Sequence, residues 1–220
     1  GIVLRSLIAG RPPVSNMYET VIWVPWGAMA FAILFEAIWR SRYYVAGASA
    51  FATLALIVAD ALPNVLPPGI HPLEPVLRSN YWLTVHVLTI TLSYSALAVA
   101  LAVGHAALWQ AIRGRRERLA ALAEHCYRAI QVGVLLLAAG TILGGVWANE
   151  SWGRFWGWDP KETWALIALI TYLIPLHGRH GFRLGFYGQV ATGNHERVRS
   201  NYDFFEVVYG RGCLNFCDHM

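Results

Sequence analysis

The chain has 220 residues, 56% of them hydrophobic and 14% charged, with ten tryptophans and a mean hydropathy of +0.43. Ordinary soluble domains carry about 25% charge, so this composition excludes disordered, collagen-like and disulfide-rich chains and argues for a membrane protein. The net charge is +4, but only Lys161 among the 17 basic residues is lysine, and the arginines gather between apolar runs, which fits membrane orientation and not nucleic-acid binding.

Residues 1–20 read as an outward N-terminal segment. The first residue is Gly and no signal peptide is identifiable, so the chain is expected to be an internal, truncated piece of a longer protein. Five apolar runs follow, at about 21–39, 43–62, 82–112, 127–147 and 161–178. Each approaches the roughly 20 residues that cross a bilayer as a helix. The fold expected is therefore all-α, a polytopic transmembrane bundle of about five helices in a lipid bilayer. A barrel would instead show alternating segments of about ten residues.

The connections alternate in charge. Arg40, Arg42, Arg113, Arg115, Arg116, Arg118, Arg179 and Arg183 follow the first, third and fifth runs, whereas the opposite loops carry Arg78, Arg154 and Lys161. The positive-inside rule makes the Arg-rich side cytoplasmic and turns residues 148–162 outward, with Arg5 and Arg11 counting against it. Residues 182–220 look atypical and polar, a non-native or disordered tail. Its Cys213 and Cys217, with Cys126, make neither a disulfide framework nor a Cys-x-x-Cys-His haem-attachment motif, so the chain is not itself a c-type cytochrome.

Half of the tryptophans, Trp147, Trp152, Trp156, Trp158 and Trp164, fall in the stretch WANESWGRFWGWDPKETW. An interfacial aromatic belt accounts for two or three of them. The interleaved Gly153 and Gly157 and the neighbouring Arg154 and Lys161 suit a platform for a flat aromatic ligand such as a porphyrin with its propionates. Both readings stay open on composition. Asp159-Pro160-Lys161-Glu162 spells a helix start: Asp as N-cap, Pro at the first helical position and Glu closing a capping box.

The stretch WANESWGRFWGWDPKETWALI closely resembles the tryptophan-rich WWD signature of the CcsA/ResC family, membrane haem-handling proteins of system II cytochrome c maturation. PPVSNMYETVIWV and SNYWLTVHVLTITLSYSAL resemble further segments of that family, and the likeness covers about residues 10–180. It implies a transmembrane haem-handling domain at 21–181, whose WWD loop at 147–164 holds haem b on the outer face. It implies transport and presentation of haem for covalent attachment to apocytochrome c through Cys-x-x-Cys-His. A CcsB/ResB-like membrane partner would share the work, the chain being one component of a holocytochrome c synthase. The membrane would be a bacterial inner membrane or a thylakoid.

A histidine inside a transmembrane run is costly and marks function by default. His86, about one turn inside the third run, is level with the Trp segment, and the resemblance makes it an axial haem ligand. His177 closes the fifth run in YLIPLHGR; by position it is a helix-dipole cap, and by resemblance a second, transmembrane haem ligand. The implied cofactor-binding set is thus His86, His177, Trp147, Trp152, Trp156, Trp158, Asp159 and Trp164, with iron on the two histidines. His71, His105 and His125 read as structural or exposed, and nothing marks His180, His195 or His219. The family's second external histidine has no counterpart here.

Three other readings compete. A system I WWD protein of the CcmC/CcmF type shares the Trp signature, although DPKETW and NMYE favour CcsA/ResC. A respiratory di-haem cytochrome b would show stacked histidine pairs on two helices, and only His86 and His105 form such a pair. A cofactor-free structural subunit predicts a colourless protein.

Overall fold

The computed structural model describes residues 1–70, 80–115 and 118–191, and these are helical with no strand among them. A short helix α1 (Ile2–Ala9) precedes α2 (Met17–Trp39) and α3 (Tyr43–Ala61); a single turn α4 (Asn80–Trp82) leads through a π-helical turn, Leu83–Val87, into α5 (Leu88–Ile112), followed by α6 (Leu119–Trp152) and α7 (Pro160–Ala191). Four helices among the described residues are long and apolar enough to cross a membrane: Met17–Trp39, Tyr43–Ala61, Thr84–Ile112 and Leu119–Trp152. The expected fifth run lies within α7, which is outside that set and continues through the start of the expected polar tail.

Small residues set the packing. Going forward along α6, a Cβ on Gly133, Gly140 or Gly144 would strike Leu97, Ile90 and His86 in turn, at 2.6, 2.9 and 2.8 Å. The partners step backward along the neighbouring helix by the same intervals, so the two helices are antiparallel and nearly touch backbone to side chain. This is how transmembrane helices gain van der Waals contact when lipid offers no hydrophobic drive. α2 instead runs parallel to α5: Trp23 Nε1 donates to Thr91 Oγ1 at 3.1 Å, and one turn on a Cβ at Gly27 would meet Ser95.

These directions gather like ends together. One end holds the termini of α2, α3, α5 and α6 marked by Arg40, Arg42, Arg113 and Arg118. Its core is aromatic: Phe35 and Tyr44 are fully buried beside Val99, Val103 and Leu122, and the Tyr44 hydroxyl lies 3.1 Å from both His125 Nδ1 and the His125 carbonyl. The opposite end holds the start of α2, the π-turn and the α6–α7 connection. There Glu19, 3% exposed, accepts from Arg5 Nε at 2.8 Å and from the Ser15 amide and hydroxyl at 2.8 and 2.5 Å, while Arg5 also donates to the Pro68 and Gly69 carbonyls. Outward faces stay apolar: Ile33, Leu54, Leu135 and Ile142 are each more than half exposed, as lipid-facing residues are.

Candidate functional site

His86 sits in the π-helical turn, a local widening of the helix that often marks a functional position. Its Nδ1 is 3.0 Å from the Gly140 carbonyl oxygen. A carbonyl only accepts, so Nδ1 carries the proton and the Nε2 lone pair is left without a hydrogen-bond partner among the described residues. The imidazole stacks on Trp147, ring centroids 5.7 Å apart and planes 22° from parallel. Gly144 lies under the Cε1 corner, between the two ring nitrogens.

The Trp-rich segment is not one loop over 147–164. α6 runs on to Trp152, because no Gly or Pro falls between Val146 and Trp152; Gly153 then takes the left-handed conformation (φ 70°) and returns its amide to the Asn149 carbonyl. Trp147 and Trp152 are therefore helical, 5.1 Å apart and tilted by 56°, and Trp164 belongs to α7. Only residues 153–159 connect the helices. In that connection Arg154 lies over Trp152 at 5.9 Å, Trp156 and Trp158 meet edge to face at 6.0 Å, and Trp158 is held at φ 58° with 70% exposure.

The capping box forms as spelled. The Glu162 amide donates to Asp159 Oδ1 at 2.9 Å, and Glu162 Oε2 accepts from the Asp159 amide at 3.4 Å. The same oxygen takes the Gly157 amide at 2.7 Å, and Oε1 stands 3.8 Å from Arg154. Glu162 thus ties three points of the connection to the first turn of α7. Asp159 serves as the cap that holds this turn.

The structure brings His86, Trp147, Trp152 and Arg154 into one cluster at one end of the bundle. His177 lies elsewhere: it is exposed on α7, its Nδ1 3.0 Å from the Leu173 carbonyl of its own helix. At 1.5 Å of rise per residue it stands about 26 Å along the axis from Pro160, toward the Arg-rich end. Trp164 points outward from α7, 68% exposed. His125 is structural, bonded to Tyr44, and His105 is exposed with Nδ1 on the Leu101 carbonyl. His71, His195, His219, Arg78, Arg116, Cys213 and Cys217, with the side chains of His180, Arg179 and Arg183, lie outside the described residues.

Several contributors escaped the sequence reading. Trp82 donates its indole N–H to the Glu150 carboxylate, joining the start of the π-turn to the end of α6. Phe155 folds back onto Gly145, where a Cβ would be 2.7 Å from its ring. Gly140 and Gly144 shape the histidine's seat, and their Gly-x-x-x-Gly spacing inside an apolar run is the signal that could have revealed a close helix approach. Chemically, the cluster offers an imidazole nitrogen to a metal, indole faces to a planar ring, and a guanidinium to an anion.

Comparison with known proteins gives the chain's family. A family model described as cytochrome C assembly protein matches residues 14–192. Protein NrfI of Wolinella succinogenes is 37% identical over 187 residues, 81% of this chain and 20% of that protein. The cytochrome c biogenesis protein CcsA of Synechococcus sp. (strain RCC307) is 37% identical over 210 residues, covering 81% of this chain and 67% of its own length; that of Prochlorococcus marinus (strain MIT 9303) is 37% identical over 224 residues, covering 86% and 69%. The chain thus spans about two thirds of these CcsA proteins and a fifth of NrfI. No solved structure matches. Since the matched region takes in the helix bearing His86 and the capped Trp-rich connection alike, the chain belongs to the cytochrome c assembly protein family.

Proposed function

We propose that this chain handles haem during cytochrome c maturation, receiving haem b as cargo and presenting it for attachment to apocytochrome c. The observation that carries this reading is the state of His86: Nδ1–H is committed to the Gly140 carbonyl and Nε2 has no hydrogen-bond partner among the described residues, the arrangement by which proteins prepare a histidine to ligate a metal. Trp147 and Trp152 supply indole faces beside it and Arg154 supplies a cation for a propionate, while Trp156 and Trp158 pair in the connection that follows and Trp164, exposed on the first turns of α7, is assigned to the haem surface by family resemblance. Asp159 acts through the cap that fixes the connection.

The Arg-rich end is cytoplasmic in this reading and the Trp-rich end faces outward. His177, far along α7, is a second iron ligand that haem meets on its way from the cytoplasmic side, with a CcsB/ResB-like partner completing the site. The chain's part in the synthase is placement. Each thiol of a reduced Cys-x-x-Cys-His segment adds across a haem vinyl group, S–H becoming C–S and C–H, with no net oxidation.

The test is a reduced-minus-oxidised absorption spectrum of the protein purified in detergent with its membrane partner, for wild type, His86→Ala and His177→Ala. Wild type should show a haem Soret band that weakens in each variant, and exogenous imidazole should restore it in His86→Ala. A colourless wild type with its partner present overturns the haem reading.

A further inference from the structure

We infer that Gly144 and Gly140 of α6 are positioning residues for the haem iron, acting through His86 as a seat that selects one imidazole nitrogen and one ring plane. The inference rests on the reading of His86 as an iron ligand and deepens it.

Three contacts define the seat. Gly140 offers its carbonyl to Nδ1 at 3.0 Å, which holds the proton on that nitrogen. Trp147 covers one face of the ring. Gly144 faces the Cε1 corner, and a Cβ there would lie 2.8 Å from Cε1, 3.3 Å from Nδ1 and 3.4 Å from Nε2. Real Cβ atoms essentially never approach at 2.8 Å, so a methyl group would push the imidazole off the Gly140 carbonyl, crowd Nε2, or both. Gly140 is fixed in the same way, since a Cβ on it would meet Ile90 at 2.9 Å. All three groups sit within two turns of one helix, so they keep their spacing as a unit. A histidine whose second nitrogen is held by the backbone is a better and better-aimed ligand, and losing such a holder typically lowers metal affinity about 10–100-fold.

A purely structural role for these glycines makes a different prediction, and Gly133 separates the two. It lies on the same helix interface, with a Cβ at 2.6 Å from Leu97, but remote from His86. Gly133→Ala should disturb packing as much as Gly144→Ala does while leaving the histidine alone.

The experiment compares Gly144→Ala, Gly133→Ala and His86→Ala in the full chain with its membrane partner, reading haem occupancy, Soret position and thermal midpoint. Gly144→Ala should lower occupancy about tenfold or more and shift the Soret band, while Gly133→Ala lowers the midpoint comparably and keeps the wild-type band. In a His86→Gly, Gly144→Ala double variant, free imidazole should restore the band, because a detached ring need not fit the seat. If His86→Ala loses haem but Gly144→Ala keeps the wild-type spectrum, or if Gly133→Ala shifts it equally, the seat is wrong and the ligand reading survives. If His86→Ala keeps its haem, the ligand reading itself fails.

Discussion

Asp159 and Glu162 hold each other across the first turn of α7, the amide of each meeting the carboxylate of the other at 2.9 and 3.4 Å. This reciprocal cap lets one substitution separate two roles. Asn is as good an N-cap as Asp, so Asp159→Asn should keep both the thermal midpoint and the haem spectrum, whereas Asp159→Ala should cost about 1 kcal/mol. A spectrum lost in Asp159→Asn at unchanged midpoint would assign the carboxylate a direct part in ligand binding.

The buried Glu19 gathers three donors, one of them the guanidinium of Arg5. Glu19→Ala removes the acceptor and leaves that cation against two carbonyls and the Tyr18 ring, which should cost about 2 kcal/mol. Thermal unfolding in detergent measures it, and protease cleavage within residues 1–16 should quicken in parallel.

At the Arg-rich end, Tyr44→Phe deletes a hydroxyl that reaches both the ring and the carbonyl of His125, while keeping the buried ring among Phe35 and Trp39. The expected loss is about 1–2 kcal/mol with no change in haem binding. A changed haem spectrum would place this polar pair in the ligand path.

Sidedness is tested by single cysteines in a background lacking Cys126, Cys213 and Cys217. A membrane-impermeant maleimide should label Lys161→Cys in intact cells, and Ser41→Cys only after permeabilisation. The reverse pattern would invert the proposed orientation.

Much of this architecture is legible in the sequence because hydropathy reports lipid contact directly. The starts of α3 and of the long third span fall within two residues of the expected runs. The cap at Asp159 is equally legible, since capping chemistry is local. What hydropathy misses is helix outside lipid: Asn149 and Glu150 look like loop, yet α6 carries them to Trp152, because helix propensity does not end where the hydrocarbon does. The partner of His86 was hidden for another reason. Gly140 lies far away in sequence, and only the register of two antiparallel helices brings them together.

α6 has 34 residues, about 51 Å of continuous rod against a hydrocarbon thickness of about 30 Å. A rod that is too long accommodates its membrane by leaning. Because Gly140, Gly144, Trp147 and Trp152 all ride on that one rod, a thinner or thicker bilayer changes the height and pitch of the whole assembly at once. His86 rides on the neighbouring helix packed against that rod, so a bilayer in which the two lean together moves the histidine's seat relative to the water as one body.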